Sequence, residues 1–360
     1  MRIVVVGASG NVGTAVLRRL GTEAGVEVVG LARRPPGRVA GDPYDRAEWY
    51  PVDVGAPGSN SLLVRYFTGA DAVVHLAWQI QPSHDQARLR RTNVDGTANV
   101  VRAAVRAGVP ALVYASSVGA YAPGPKDRFV DEDWPTTGVP GSSYSRDKAD
   151  VEAMLNWVES DHPGLRVVRL RPALIFQRDA GTEIARYFLG PLAPLRLLRY
   201  GRLPVVPANA ALRLQAVHAD DVADAYVRAA LSDVRGAFNV AAGPVLTPAL
   251  VASRFRGVTV PVPAGLLRTA AQLTWRARLQ PVDAGWVQLA LRAQLLSTDR
   301  ARRDLGWRPT AGAVDALREL IGGMGGHAGT SSPPLSPVGT LPGRIGGVLH
   351  GRLPGVGDPY

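Results

Sequence analysis

The sequence predicts an α/β fold, a Rossmann-type doubly wound parallel sheet with a smaller C-terminal substrate lobe and a disordered C-terminal tail. Two observations predict it. Short apolar, β-branched runs alternate with stretches of helical periodicity through the first half of the chain, and a glycine-rich turn joins the first run to the first stretch. Strands that are apolar throughout and bounded by helices imply a parallel sheet covered on both faces. Right-handed crossovers then wind the chain onto both sides.

Residues 3–6 read as the first strand, 11–20 as the first helix and 26–31 as a second strand. A strand at 72–76 follows, then a helix over 93–107 that Gly108-Val109-Pro110 ends. Residues 111–115, 144–159 and 166–170 read as strand, helix and strand. From 173 to about 214 Pro, Leu and Arg dominate and periodicity fades, as in a substrate lobe or lid. Helix and strand return at 220–231 and 238–241, so the chain from about 216 to 241 is expected to rejoin the sheet. The expected organisation is a Rossmann domain over 1–172, a substrate lobe over 173–321, and a Gly/Pro-rich tail over 322–360. That tail has too few large apolar residues to offset the entropy of ordering.

The formal net charge of the 360 residues is +11. Lys126 and Lys148 are the only lysines, and the arginines are spread singly, with no basic run or aromatic-interleaved stripe. The excess reads as compositional bias, and no nucleic-acid partner is expected. The chain has no cysteine, which excludes disulfides and thiolate chemistry. Its six histidines never stand four apart, so no metal site is expected. Residues 2–6 run straight into the glycine turn and read as a strand, not a leader. Pro261, Pro263 and Arg268 break the most apolar later stretch, so no membrane span is expected and a cytoplasmic location is the default.

Gly7-Ala8-Ser9-Gly10-Asn11-Val12-Gly13 stands between the first strand and the first helix. Glycines there allow a tight turn and let backbone N–H groups approach a pyrophosphate at a helix N-terminus. The spacing differs from the common G-x-G-x-x-G, but the strand–helix context marks a dinucleotide site. The second strand ends in Gly30-Leu31-Ala32-Arg33-Arg34, without the acid that holds the ribose 2′-hydroxyl of NAD. A guanidinium matches a 2′-phosphate, so NADP is expected and NAD less so, with Arg33 and Arg34 as contacts; solvated loop arginines are the alternative. Asp53, followed by Val54, is placed to accept from the adenine amino group or to close a turn.

Tyr144-Ser145-Arg146-Asp147-Lys148 sets a phenol and an ammonium one helical turn apart. A tyrosine needs its anion stabilised by about 4 kcal/mol to act as a base near neutrality. One ammonium at ~4 Å supplies about that at an effective dielectric of 20. A surface packing pair is the alternative. Ser116-Ser117 follows the strand at 111–115, at the carboxyl edge where such sheets bind ligands. A serine there can donate to a substrate oxygen, or simply belong to a turn.

Together these residues resemble the extended short-chain dehydrogenase/reductases, the NAD(P)-dependent epimerase/dehydratase-like family, over about residues 1–320. The likeness includes the glycine loop, Val73-Val74-His75-Leu76-Ala77, Asn93-Val94-Asp95-Gly96-Thr97, Tyr114-Ala115-Ser116-Ser117 and Tyr144–Lys148. It continues through Arg171-Pro172, residues 217–223 and residues 301–307. The resemblance implies that Ser117, four residues before Tyr121, is the catalytic serine, Tyr144 the acid/base and Lys148 its partner and ribose anchor. It implies that Gly7, Ser9, Gly10, Asn11, Val12, Gly13, Leu76, Ala77, Asn93 and Pro172 serve the cofactor, and that His218 is structural.

Departures from the family pattern shape the expected chemistry. The 4,6-dehydratases place Asp-Glu after the catalytic hydroxyl residue, where Val118-Gly119 stand here. Leu174 occupies a place where nucleotide-sugar enzymes commonly have Asn, although Arg199, Arg202 and Arg213 remain as candidates for a diphosphate. The leading expectation is therefore an NADP(H)-dependent oxidoreductase acting on a ketone or secondary alcohol of a small, fairly apolar molecule. The alternatives are a nucleotide-sugar epimerase/dehydratase using the same triad, and a non-catalytic NADPH-sensing protein, against which the intact Ser-Tyr-Lys set argues. The expected partner is a small-molecule substrate, with a homodimer as a compatible assembly.

Overall fold

The computed structural model describes residues 1–37, 40–189, 198 and 200–337. Seven parallel strands make the central sheet: β1 (Arg2–Val6), β2 (Glu27–Ala32), β3 (Glu48–Pro51), β4 (Ala72–His75), β5 (Ala111–Ala115), β6 (Arg166–Pro172) and β7 (Gly236–Val240). Their spatial order is β7-β6-β5-β4-β1-β2-β3. The order reverses at β1, which opens a crevice beyond the carboxyl ends of β1 and β4. β1 pairs on both sides, Val4 lying opposite Val29 and Val73. Residues 3–6 are buried, which is why that run is apolar without alternation.

Helices cover both faces. On one side α1 (Asn11–Leu20) packs against α6 (Ala219–Leu231), with Val16, Leu17, Val222 and Tyr226 in the core. On the other lie α2 (Ser59–Phe67), α3 (Gly96–Arg106) and α4 (Ser143–Asp161), with Phe67, Val100 and Leu155. The half-exposed edge strand β3 and the helix α2 lie in a stretch for which the sequence pattern gave no bounds. The helix expected over 93–107 opens with a wide π turn, Arg91–Asp95, before α3 begins.

The rest of the chain builds a smaller layer above the crevice. It holds α5 (Gly181–Phe188) and a three-stranded sheet of Leu174–Phe176, Leu214–His218 and Ala242–Leu246. A two-stranded ribbon pairs Val205–Ala208 with Val258–Pro261. Beyond it come α7 (Ala264–Arg276), α8 (Ala284–Arg292) and α9 (Ala313–Gly325). Among the described residues no helix is long and apolar enough to cross a membrane.

The disordered tail expected from Gly322 does not begin at that residue. α9 runs to Gly325, and residues 326–337 pack back on the body as a strap. Leu335 is fully buried, Thr182 Oγ1 donates to Ala328 O at 2.7 Å, and Ser332 Oγ donates to Ser9 O at 2.7 Å. The glycines that gave this stretch its loose composition make close packing possible. A Cβ at Gly323 would lie 2.1 Å from Arg178 O. Residues 338–360 of the expected tail lie outside the described residues.

Candidate active site

The glycine loop is shaped by approach distances that no side chain permits. Gly7 leaves β1 with φ +88°, and a Cβ there would stand 2.6 Å from Ala77 N. At Gly13 it would stand 2.4 Å from Gly7 O. The loop thus presses against the chain after β4, and α1 presses against the loop. α1 has no side-chain cap, so the N–H groups of its first turn remain available at the helix N-terminus.

The adjoining cleft is lined by Gly7, Ser9 and Gly10, by Arg33 and Arg34 after β2, and by Asp53, Val54, Leu76 and Ala77. Asp53 meets the turn reading as well, since its Oδ1 accepts from Gly55 N at 2.9 Å. Other expected cofactor residues stand behind this lining. Asn11 Oδ1 accepts from Gln177 Nε2 and Val12 packs on the core, so neither side chain is offered to a cofactor, and Gly13 has only its backbone N–H. Asn93 is buried and clamps the loop after β4, accepting from Gln79 N at 2.7 Å and donating to Gln79 O at 3.0 Å. Pro172 is buried opposite Val240. Two cleft residues, Trp78 and Gln79, keep a buried polar atom, Nε1 and Oε1, with no partner among the described residues. A cradle that any Cβ would fill, a helix N-terminus and orphaned polar groups together fit a nicotinamide dinucleotide.

Past Trp78, which lines the cleft and meets Tyr144 edge-on with ring centroids 6.0 Å apart, Ser117 follows β5 and Tyr144 stands in the first turn of α4, which Ser142 caps by accepting from Ser145 N. Ser117 and Tyr144 meet at Gly119, where a Cβ would stand 2.8 Å from Tyr144 Cε1 and 3.5 Å from Ser117 Oγ. Burial pushes the phenol up to about 12, and Ser117 works against that rise. Lys148 is one turn further on and almost fully buried. Its Nζ donates to Ala115 O at 2.6 Å and lies 3.4 Å from the Trp78 ring centroid, but 6.0 Å from that of Tyr144. The expected direct lowering of the tyrosine pKa by Lys148 is therefore not seen in this arrangement, because a backbone carbonyl and an indole hold the ammonium. Burial itself pushes Lys148 well below its ordinary value, with Glu152 and Asp147 pulling the other way.

Sequence reasoning missed several residues here. Glu152, one more turn along the Tyr144–Lys148 face, is wholly buried. It accepts from Arg171 Nε at 2.8 Å, from Arg171 Nη2 at 2.9 Å and from Ser116 Oγ at 2.5 Å. Although burial pushes its carboxyl up, the Arg171 guanidinium holds it below the usual range. The i, i+4, i+8 spacing was a signal for it. Trp78 had none. Nor had Trp286 and Phe188, which form an aromatic wall: the Tyr144–Trp286 and Phe188–Trp286 centroids are each 5.1 Å apart. His218, which the resemblance implied to be structural, caps α6, its Nδ1 accepting from Asp220 N at 3.2 Å.

Comparison with known proteins agrees with this geometry. The sequence profile of the NAD dependent epimerase/dehydratase family matches residues 3–241. An uncharacterised protein of Mycobacterium tuberculosis is 30% identical over 364 residues, covering 100% of this chain and 33% of that protein. The chain thus spans about a third of the length of the curated relatives that head the comparison. The UDP-glucose 4-epimerase of Mycolicibacterium smegmatis is 28% identical over 331 residues, covering 89% of this chain and 97% of the relative. The crystal structure of the Thermus thermophilus UDP-glucose 4-epimerase complexed with NAD superposes with a TM-score of 0.67 at 24% identity, over 90% of this chain and 99% of the other. At that identity the likeness is one of fold.

Proposed function

Because the chain belongs to the NAD dependent epimerase/dehydratase family, we propose that it oxidises and re-reduces a carbinol carbon of a nucleotide sugar, with Tyr144 as its acid/base. The observation that carries this reading is the proximity of Ser117 and Tyr144 at Gly119, next to Trp78 of the dinucleotide-shaped cleft. Kinship along almost the full length of a UDP-glucose 4-epimerase supports the substrate class.

The Gly7–Gly13 loop would hold the pyrophosphate, Arg33 and Arg34 the 2′-phosphate of NADP, and Asp53 the adenine. Leu76 and Ala77 would flank the cofactor's path toward Tyr144. A nicotinamide held there would supply a reversible hydride acceptor for the substrate carbon. Tyr144 takes the hydroxyl proton as the carbonyl forms and returns it on reduction. Ser117 donates to the substrate oxygen and fixes its position. Lys148, held by Ala115 O, adds positive charge to the same region and presents a donor toward the cofactor ribose. Trp78, Trp286 and Phe188 screen the phenol from water and offer flat apolar surfaces to a sugar ring. The NADP preference rests on two cleft arginines and the lack of an acid at the end of β2.

The aromatic wall also favours a second reading, reduction of a small apolar ketone. One experiment separates the two. Interconversion of UDP-glucose and UDP-galactose is followed without added reductant, beside NADPH oxidation over a panel of ketones. Sugar interconversion lost in Tyr144→Phe is the expected result. Ketone-dependent NADPH oxidation with no sugar turnover would replace the first reading by the second. In the same material, Arg33→Ala should weaken NADPH binding by about 1.5–3 kcal/mol and leave NADH nearly unchanged.

A further inference from the structure

α7 is a helix of 13 residues none of which is buried, whereas a surface helix ordinarily hides an apolar stripe. It is held by one edge. Trp275 stacks on His84 with centroids 3.8 Å apart, and Gln272 Oε1 accepts from Ala284 N. The opposite side carries Leu266, Ala270, Leu273 and Ala277, which share one face at helical spacing. Leu266 and Leu273 are 60% and 59% exposed. The ribbon that leads into α7 has the same character: Val205 and Val258 face each other across its two strands, 59% and 63% exposed.

Along the chain that builds the ribbon and α7 the charge has one sign, and the acids Asp150 and Asp283 lie at the inner edge of α7, in the cavity lined by Gln272 and Trp275. Residues 184–219 and 234–282 contain eleven arginines and not one aspartate or glutamate. Arg202, Arg254, Arg256, Arg268, Arg276 and Arg278 are all exposed. Two copies of such a face would set arginine against arginine, so it suits no two-fold contact. Its exposed apolar groups are leucine and valine apart from Tyr200, which gives nucleic-acid bases little to stack on. Aliphatic side chains amid arginines on a helix lying along the surface match a bilayer interface of negative headgroups.

We propose that α7 and the ribbon before it dock this protein onto an anionic lipid surface. Leu266 and Leu273 enter the headgroup–acyl boundary, and the arginines meet lipid phosphates. The inner edge of α7, through Gln272 and Trp275, lines a cavity with Ser142 and Ser143 at the start of α4. Docking therefore brings that approach to the catalytic helix close to the headgroups.

The test is flotation of the full chain with vesicles of phosphatidylcholine alone, or of phosphatidylcholine containing phosphatidylglycerol. The chain should float with the anionic vesicles only, and less so as salt rises. Arg276→Gln and Arg278→Gln should each lower partitioning about fivefold. Leu266→Ser combined with Leu273→Ser should lower it at least about tenfold. All four positions are exposed and outside the catalytic site, so melting temperature and cofactor binding should not change in any variant. The proposal is overturned if the parent chain stays in solution with both vesicles at low salt. It is equally overturned if the leucine pair instead alters the sedimentation state, or if short duplex DNA competes fully with the vesicles.

Discussion

Tyr144 is a neutral phenol near neutral pH, since burial pushes it up to about 12. It is therefore poised to donate a proton, and in the proposed reaction taking one would require positive charge brought close by the bound cofactor. Tyr144→Phe leaves the ring and its contacts with Trp78 and Trp286 in place. Turnover should fall by about 10²–10⁴-fold while melting temperature and cofactor affinity stay near those of the parent, measured by steady-state kinetics and titration. Near-parent turnover would dismiss Tyr144 as the acid/base. His75 makes a separate pH prediction. Buried at the end of β4 with Nε2 3.0 Å from Thr97 Oγ1, it is pushed by burial down to about 3, with the Lys148 charge adding to the effect. In the unfolded chain it titrates near 6.5. Its contribution to stability is complete above that value and is lost progressively as pH falls toward 3. Going from pH 7 to 5 should thus cost about 2 kcal/mol through this residue alone. Urea unfolding of His75→Asn at both pH values should show a loss smaller by that amount, and an unchanged loss would refute the assignment.

At the scale of elements, the strap over 326–337 ties the smaller layer to the glycine loop. Besides Ser332 on Ser9, the Thr330 and Tyr44 hydroxyls lie 2.7 Å apart and Arg186 Nη2 donates to Pro334 O at 2.9 Å. Pro334 itself lines the cofactor cleft. A chain ending at Gly325 gives up the buried Leu335 and these hydrogen bonds. It should lose about 2–5 kcal/mol of stability and bind NADPH more weakly. A chain ending at Pro337 keeps the strap and is the control, with melting and cofactor titration as the measurements. Equal behaviour of the two would reduce the strap to passive packing. Composition pointed toward disorder at 322 because it counts large apolar residues. One leucine inserted between glycines and serines is enough when the neighbouring helix can come within touching distance.

At the scale of the molecule, Trp307 joins the last third of the chain to the sheet. It is fully buried, and its Nε1 donates to Asp221 O at 2.7 Å, beneath α6. Asp221 in turn accepts from Thr310 N and Ala311 N. Trp307→Ala should cost about 3–5 kcal/mol, and calorimetry should show one transition moved to lower temperature. A second, separate transition would mean that the smaller layer melts by itself.

The sequence by itself determined what depends on neighbours along the chain. The Gly7–Gly13 loop needs only contiguous residues, the doubly wound sheet only the alternation of strand and helix, and the Tyr144–Lys148 face only the pitch of one helix. Glu152 was within reach of the same pitch. The tertiary structure alone decided how Lys148 lies under Trp78, how Asn93 clamps the loop after β4 in place of lining the cleft, and how Ser332 closes on Ser9 from 323 residues away. Such contacts leave no period or spacing in the sequence. They arise where packed layers meet, and each depends on the positions of many residues at once.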